Sequence, residues 1–291
     1  MSDLDQRLNA LEADLKTRGS VLVAFSGGAD SAFLLAAAAR ALGSDDVAAA
    51  TGYSHSLPIA ERDPAAEYAL SLGVRLITPQ THEMDREGYR ANGTDRCFFC
   101  KAELLDTLMP LARELGLAHV ATGTNADDAI EGLNGLRPGI RAAAERGAIT
   151  PLKDAGLTKA HIREASRRWG LPTWDKPAAA CLSSRIAYGL EVTPRRLARV
   201  ERAEQGVRSV LAARGHDAAR VDLRVRDHGE KATVELSATL LPLDPHHADE
   251  VLKTVTDAGF PAAEIDPRGF RSGSMNGSTN GSTNRAPKAA R

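Results

Sequence analysis

The sequence predicts an α/β fold, with a doubly wound parallel sheet followed by a smaller α+β C-terminal domain. In the first half of the chain, short apolar runs alternate with stretches of helical periodicity. The runs lie at 21–25, 47–51, 74–78 and 118–122, and the helical stretches at 31–42, 59–72 and 101–115. This alternation is typical of parallel strands connected by crossover helices.

An amphipathic helix is predicted at residues 3–16, ahead of the first strand. Its leucines Leu4, Leu8, Leu11 and Leu15 are spaced by three and four residues, which places them on one face of a helix. We expect this helix to pack on the outside of the sheet.

The second half of the chain divides into the end of the first domain and a smaller one. After a predicted helix at 158–169, Gly170-Leu-Pro and Lys176-Pro177 interrupt regular structure. We therefore place the first domain at 1–180 and the second at 181–271. The second domain is predicted to contain helices at 194–214 and 246–258 and strands at 220–226 and 232–236.

Residues 272–291 repeat Asn-Gly-Ser-Thr and contain almost no apolar side chains. Such a segment cannot offset the conformational entropy that it would lose on ordering. A disordered tail is predicted.

Composition and charge narrow the class of protein. Among 291 residues, 37 lysines and arginines nearly balance 38 aspartates and glutamates, so no overall positive field is available to gather nucleic acid. No apolar run approaches the roughly 20 residues that span a bilayer. We expect a cytoplasmic protein that binds neither nucleic acid nor membranes.

The three cysteines are Cys97, Cys100 and Cys181. An odd number leaves one thiol unpaired in any disulfide scheme, and in a reducing compartment such thiols are better interpreted as ligands or nucleophiles. For Cys97 and Cys100, the alternatives are a redox pair or half of a zinc site completed by His82 or His119. For Cys181, the alternative is a buried apolar cysteine.

The sequence Ser-Gly-Gly-Ala-Asp-Ser at 26–31 lies between a predicted strand and a predicted helix. Gly27 and Gly28 let the main chain curl closely around an anion, so that amide groups and the helix N-terminus face it. The loop is neither a Walker A motif nor Gly-x-Gly-x-x-Gly. The alternative is an ordinary tight turn in which Asp30 or Ser31 caps the helix.

This loop resembles the PP-loop of the N-type ATP pyrophosphatases, which have an adenine nucleotide α-hydrolase-like fold and cleave ATP between the α and β phosphates. The resemblance implies that Ser26, Gly27, Gly28, Asp30 and Ser31 bind ATP, with Mg2+ at Asp30 neutralising phosphate charge. Such enzymes typically adenylate a carboxylate or carbonyl oxygen, so that AMP becomes the leaving group when a nucleophile attacks the carbon.

A second polar segment, Gly-Thr-Asn-Ala-Asp-Asp at 123–128, follows the fourth predicted strand. Strands of a parallel sheet bring such loops to one edge, where ligands bind. Gly123, Asn125, Asp127 and Asp128 are therefore predicted to face the same nucleotide. The alternative is a helix cap.

Longer motifs narrow the resemblance to the LarE-type ATP-dependent sulfurtransferases, over about residues 15–235. The motifs are RCFFCK at 96–101, GTNADD at 123–128, RPG at 137–139, PLK at 151–153 and WDKPAAACLSSRIAYG at 174–189. That family makes the pyridinium bis-thiocarboxylate mononucleotide precursor of the nickel-pincer cofactor of lactate racemase. The resemblance implies a pyridinium mononucleotide substrate, adenylation of its carboxylates, attack by sulfur, release of AMP, and transfer of the product to a nickel-insertion protein. It also places Lys101 and Arg185 among the nucleotide-binding residues.

The resemblance gives the cysteines two possible roles. Cys181 matches the position that, in single-cysteine members, forms a thioester with the substrate and then surrenders its own sulfur, leaving dehydroalanine. In three-cysteine relatives, the cysteines hold a 4Fe–4S cluster with one iron free to carry an extra sulfide, which implies Cys97, Cys100 and Cys181 as ligands here. Both sources of sulfur stay open at this point.

In the second domain, Arg224 and Arg226 alternate with apolar residues and so project from one strand face. They are predicted to clamp a substrate phosphate or carboxylate; the alternative is a solvated face with salt bridges. By resemblance, Glu204, Glu235 and Asp244 join them in a phosphate and metal site between protomers. The family's homohexamers, built as trimers of dimers, imply a homo-oligomer.

Two other functions remain to be weighed. One is another PP-loop reaction, such as tRNA thiolation or amidation of the kind catalysed by NAD and GMP synthetases; the near-neutral charge counts against tRNA. The other is a non-catalytic iron–sulfur or nucleotide-binding protein.

Overall fold

The computed structural model describes residues 1–128, 137–177, 181–218 and 221–271. The chain forms two compact units, Met1–Glu201 and Arg202–Arg291. The segment 181–201, which the sequence assigns to the second domain, belongs to the first unit. The predicted disordered tail at 272–291 lies outside the described residues.

A four-stranded parallel sheet forms the centre of the first unit. Its strands are β1 (Val21–Ala24), β2 (Val47–Ala50), β3 (Arg75–Ile77) and β4 (His119–Thr122), in the order β3-β2-β1-β4. Val21 of the central strand β1 lies opposite both Val47 and His119. The four predicted strands are confirmed to within one residue at each end, and so is the α/β class with a parallel sheet.

Helices surround this sheet. They are α1 (Asp3–Arg18), α2 (Ala29–Leu42), α3 (Arg62–Ser71), α4 (Glu87–Arg90), α5 (Arg96–Glu114), α6 (Pro138–Glu145), α7 (Pro151–Asp154) and α8 (Lys159–Arg168). The next helix, α9 (Pro194–Ala213), contains the division between the two units. The sequence pattern does not predict α4, α6 and α7, because helices of four to eight residues show little periodicity. In the described part of the chain, no helix combines the length and apolar character needed to cross a membrane.

The side chains of β1 alternate between two apolar clusters. Val21 and Val23 pack in a cluster with residues of α1, α2 and α8, whereas Leu22 and Ala24 pack in a cluster with residues of α5. Burial on both faces is the reason that the strands are continuous apolar runs rather than alternating ones. Helices therefore cover both faces, as a doubly wound sheet requires.

Two helices begin at residues that matter for the chemistry. The N-cap of α2 is Gly28, so the alternative in which Asp30 or Ser31 caps that helix is wrong. Helix α5 begins at Arg96, five residues before its predicted start. The sequence pattern does not reveal these residues as helical because the consecutive apolar residues 97–100 lack helical spacing. Cys97 and Cys100 consequently lie in the first turn of α5, three residues apart on one helix face.

The second unit contains a three-stranded sheet in the order β5-β6-β7. Its strands are β5 (Leu223–Asp227), β6 (Lys231–Leu236) and β7 (Ala262–Ile265), and helix α10 (Pro245–Asp257) comes before β7. Strands β5 and β6 pair as an antiparallel hairpin, whereas β6 and β7 are parallel. The sequence does not predict β7, a short half-exposed strand with only one β-branched residue.

Candidate active site

A cavity of about 490 Å³ opens where β1, β2 and β4 end. It is lined by 24–26, 50–52 and 123–124, at the carboxyl ends of those three strands. Cys100 and Cys181 line it as well. The predicted nucleotide loop and two of the three cysteines thus share one cavity, at the sheet edge where α/β proteins bind ligands.

The loop at 26–31 is held in shape by Ser31. Its Oγ accepts a hydrogen bond from the Ser26 amide at 3.2 Å and donates one to the Gly28 carbonyl at 3.1 Å. Gly27 has φ of +72°, in the left-handed region that favours glycine. The turn between β1 and α2 is therefore held by hydrogen bonds within the loop itself.

The second loop, 123–128, packs directly against the first. A β-carbon on Gly123 would lie 2.9 Å from the Ser31 nitrogen, so only glycine permits this approach. Asn125 is fully buried, and its Nδ2 donates to Asp30 Oδ2 at 3.1 Å while its Oδ1 accepts from the Asp128 amide at 3.0 Å. Gly123 and Asp128 line the cavity. Asn125 positions the cavity residue Asp30 through its hydrogen bond.

Three cations at the cavity are not found by the sequence reasoning: Lys159, Arg163 and Lys176. Lys159 and Arg163 are four residues apart on one face of α8, and that spacing is the signal that could have identified them. Asp127, predicted to face the nucleotide, instead accepts the Lys159 amide at 2.8 Å and so ties the second loop to the start of α8.

Burial raises the pKa of the Asp30 carboxyl; the positive charge of Lys159 opposes this rise and the negative charge of Asp128 adds to it. Asp30 and Asp128 both line the cavity. Magnesium bound with a nucleotide takes one or two carboxylates together with phosphate oxygens and water. The two carboxylates therefore suit a magnesium ion that arrives with ATP.

The three thiols lie near one another. Although Cys97 is exposed as a residue, desolvation of its thiol raises its pKa, and a negative charge on Cys181 adds to the rise. Burial raises the pKa of Cys100 well above its usual range, with Cys181 and Glu83 contributing. Both thiols are thus disposed to stay protonated in the absence of a metal.

The described side chains include no group of three or more His, Cys, Asp or Glu arranged to hold a metal ion. The three thiols are the ligand type that an iron–sulfur cluster takes. The zinc alternative likewise gains no such group from His82 or His119, both of which are described.

Cys181 lies at the start of the short 3-10 turn Leu182–Arg185. Its Sγ is 3.0 Å from Ser183 Oγ, and the side chain is half-buried at the cavity. The alternative of a buried apolar cysteine is therefore wrong. Arg185, predicted to bind the nucleotide, is 3% exposed and donates to the Cys181 carbonyl at 3.0 Å, so it fixes the main chain that carries the thiol.

Asn92 and Arg96 join the first turn of α5 to the segment that carries Cys181. Asn92 Nδ2 donates to the carbonyls of Ala187 and Leu190, each at 2.8 Å. Arg96 Nη1 donates to the Ser183 carbonyl at 2.8 Å and to Asn92 Oδ1. Both side chains are buried, so the positions of the cysteines depend on a buried hydrogen-bond network.

Two more ionisable groups line the cavity beside the cysteines. Burial lowers the pKa of Lys101, and the neighbouring Cys100 opposes that shift. Glu83, which the sequence reasoning does not single out, is 2% exposed and accepts a hydrogen bond from Ser56 Oγ at 2.6 Å. Lys101 is thus placed at the cavity, as its predicted role requires, and Glu83 adds a buried carboxylate.

The predicted residues of the second domain form a buried cluster in the second unit. Its members are each less than 10% exposed: Glu204, Arg224, Arg226 and Glu235. Arg226 donates through Nε and Nη2 to Glu235 Oε2 at 3.0 and 2.8 Å, and Glu204 Oε1 accepts the Val225 amide at 3.1 Å. The alternative of a solvated face is therefore wrong. Asp244 is exposed and caps α10 by accepting the His247 amide at 3.0 Å.

Two proteins resemble the chain over nearly its whole length. It is 38% identical over 275 residues to an uncharacterised protein of Synechocystis sp., covering 94% of this chain and 98% of the relative. It is 32% identical over 276 residues to the pyridinium-3,5-bisthiocarboxylic acid mononucleotide synthase of Lactiplantibacillus plantarum, covering 95% of this chain and 96% of that enzyme. No protein-family model matches the chain.

Proposed function

The chain belongs to the family of pyridinium-3,5-bisthiocarboxylic acid mononucleotide synthases, and on that premise we propose that it is an ATP-dependent sulfurtransferase acting on pyridinium-3,5-biscarboxylic acid mononucleotide. The product is the bis-thiocarboxylate precursor of the nickel-pincer nucleotide. The observation that carries the proposal is the shared cavity, because the loop at 26–31 and Cys181 both line it. An activating group and a sulfur nucleophile can then act on one bound substrate.

In the activation step, a carboxylate oxygen of the substrate attacks the α-phosphorus of ATP and the α–β phosphoanhydride bond breaks. The loop at 26–31 receives the pyrophosphate, because a strand-to-helix turn presents amide groups to an anion. Asp30 and Asp128 hold Mg2+, whose contribution is to neutralise phosphate charge. Lys159 and Arg163 supply further positive charge at the same cavity.

In the transfer step, the Cys181 thiolate attacks the acyl carbon and AMP leaves with the bonding electron pair, so that a thioester forms. Ser183 Oγ lies 3.0 Å from the sulfur and can hydrogen-bond to the thiolate. Loss of the Cα proton and cleavage of the Cβ–S bond then release the thiocarboxylate and leave dehydroalanine. Arg185 and Arg96 hold the main chain of this segment during the exchange.

The alternative source of sulfur is a 4Fe–4S cluster, which Cys97, Cys100 and Cys181 would hold and which would supply an extra sulfide. The three soft thiol ligands support this alternative. Iron and acid-labile sulfide analysis of protein purified without oxygen tests it, with Cys97→Ser as the matched variant that should lose both.

The proposal also covers substrate binding by the second unit, the assembly and compartment of the enzyme, and the protein that receives its product. Arg224 and Arg226 bind the phosphate or a carboxylate of the substrate, with Glu204 and Glu235 in the same buried cluster. The enzyme works in the cytoplasm as a homohexamer and passes its product to a nickel-insertion protein. Light scattering of the purified chain tests the assembly.

The reaction itself is tested by incubating the protein with ATP, Mg2+ and the carboxylated pyridinium mononucleotide. AMP and pyrophosphate should form in equal amounts, and only when the mononucleotide is present. AMP formation that requires tRNA, or an amide product when ammonia is supplied, would indicate that the chain catalyses another PP-loop reaction. Binding of ATP without cleavage would favour the non-catalytic alternative.

A further inference from the structure

Lys176 connects three separate parts of the first unit. Its Nζ donates to the Gly27 carbonyl of the nucleotide loop at 3.0 Å and to Glu61 Oε2 at 2.6 Å. Lys176 and Glu61 are each about three-quarters buried. An ion pair so shielded from solvent holds its geometry better than an exposed surface pair does.

The chain around Lys176 is fixed from a second direction. Arg163 donates through its two terminal nitrogens to the carbonyls of Trp174 and Lys176, at 3.2 and 3.1 Å. The segment ahead of Cys181 is thus tied to α8 by its main chain and to the nucleotide loop by the Lys176 ammonium. The position of Nζ follows from these contacts rather than from a freely moving side chain.

The ammonium group retains donor capacity toward the cavity. A lysine ammonium has three N–H donors, and the contacts to Gly27 and Glu61 use two of them. Lys176, Glu61, Ser26 and Gly28 all line the cavity. Among the described residues, the ammonium therefore stands beside the loop where phosphate oxygens of a bound nucleotide would lie, with one of its donors left for them.

We propose that Lys176 is a ligand for the β- and γ-phosphates of ATP, and hence for the departing pyrophosphate, with Glu61 as the residue that positions it. The proposal rests on the use of ATP proposed above. It assigns Lys176 to the end of the nucleotide that AMP lacks. Removing its charge should weaken binding of pyrophosphate and ATP and leave binding of AMP nearly unchanged.

The test is calorimetric titration of the full chain with magnesium pyrophosphate and, separately, with AMP. Because a charge-assisted hydrogen bond to phosphate is lost, Lys176→Met should weaken pyrophosphate binding about 10-fold or more. The Kd for AMP should change less than about 2-fold. Lys176→Arg should retain much of the affinity, and Glu61→Gln should lower it by less than Lys176→Met does.

Lys16→Met is the matched control, because Lys16 forms an equally short ion pair with Glu12, at 2.6 Å, on α1 outside the cavity. Unchanged pyrophosphate affinity in Lys176→Met would overturn the proposal, and so would an equal loss for AMP. If Lys176→Met does not fold, the other two variants serve as the test. The proposal is then contradicted if Glu61→Gln binds pyrophosphate as tightly as the wild type while Lys176→Arg binds it 10-fold more weakly. If the wild type binds neither ligand, the use of ATP itself fails, and that result is distinct from a defect confined to the variants.

Discussion

Arg96 Nη1 lies 2.8 Å from the main-chain carbonyl oxygen of Ser183. Arg96 is the first residue of α5, whose first turn carries Cys97 and Cys100, and Ser183 is two residues beyond Cys181. One buried guanidinium thus links the two parts of the chain that bring sulfur chemistry to the cavity. The relative positions of the three thiols depend on this contact.

Replacing Arg96 by alanine should separate the transfer of sulfur from the activation of the substrate. The variant removes the Arg96 donor from Asn92 Oδ1 and from the Ser183 carbonyl, which keeps the Ile186 amide at 3.1 Å. Losing these two buried hydrogen bonds costs about 1–3 kcal/mol of the free energy of unfolding. We expect thiocarboxylate formation to fall about 10-fold or more while substrate-dependent pyrophosphate release stays near the wild-type rate. The exposed Arg195→Ala is the control; equal losses in both steps would refute the linking role.

Asp30→Asn should make the protein more stable and less active. Burial raises the pKa of Asp30 in the folded state. The contribution of this group to the free energy of unfolding is therefore fully present below its pKa in the unfolded chain, and it is lost as pH rises through its pKa in the folded protein. At pH 7 the ionised carboxylate therefore destabilises the fold, and the amide removes that cost. Pyrophosphate release should fall about 100-fold or more, because the magnesium ligand is lost.

Thermal unfolding of the metal-free protein at pH 7 and pH 3 checks the prediction for Asp30. The Tm of Asp30→Asn should exceed that of the wild type at pH 7, and the difference should shrink at pH 3. Asp45→Asn, an exposed position on the turn after α2, serves as the control. A lower Tm for Asp30→Asn at pH 7 would show that the carboxylate is held by stronger favourable contacts than the structure gives it.

Gly123→Ala should push apart the two loops that form the nucleotide end of the cavity. The added methyl group would lie 2.9 Å from the nitrogen and 3.0 Å from the Cα of Ser31, and main-chain atoms cannot yield as a flexible side chain can. We expect a loss of about 1–3 kcal/mol in the free energy of unfolding and about 10-fold weaker ATP binding. Urea unfolding and ATP titration measure the two effects; unchanged ATP affinity would contradict the shared role of the loops.

The thiols of Cys97 and Cys100 should react slowly at neutral pH in protein that carries no metal. Desolvation raises the pKa of both, and a charge on Cys181 raises it further, so the thiolate fraction is smaller than in a free cysteine. Alkylation by iodoacetamide at pH 7.5 should be about 10-fold slower than for N-acetylcysteine and should accelerate above pH 9. Peptide mass spectrometry resolves the sites; rapid reaction of the exposed Cys97 at pH 7.5 would contradict the raised pKa.

Local patterns in the sequence predict the sheet and its loops well. Apolar runs such as 47–51 locate the strands because both faces of the sheet are buried, and Gly27 marks the tight turn by its need for a positive φ. The start of α5 cannot be predicted in the same way, since four consecutive apolar residues hide its periodicity. The two-residue spacing of Arg224 and Arg226 predicts a shared face, but their burial follows from packing that periodicity does not encode.

Contacts between distant parts of the chain cannot be predicted from local patterns in the sequence. Lys176 reaches Gly27 across 149 residues and Arg96 reaches Ser183 across 87, and no local signal marks either pair. Asp127 is a different case: it belongs to a motif at the right strand end, and its Oδ2 accepts the Lys159 amide at 2.8 Å, a contact that no local signal marks. Residue type and spacing identify which segments meet, whereas the fold decides which side chains face the cavity.

The central claim is that Cys181 is the point at which sulfur reaches the activated substrate. Mass spectrometry of the pyridinium product, formed with ATP and Mg2+ by the wild type and by Cys181→Ala, tests it most directly. The wild type should exchange oxygen for sulfur in the substrate carboxylates, while Cys181→Ala should release pyrophosphate and form the substrate adenylate but no sulfur-containing product. A thiocarboxylate formed by Cys181→Ala at the wild-type rate would contradict the claim.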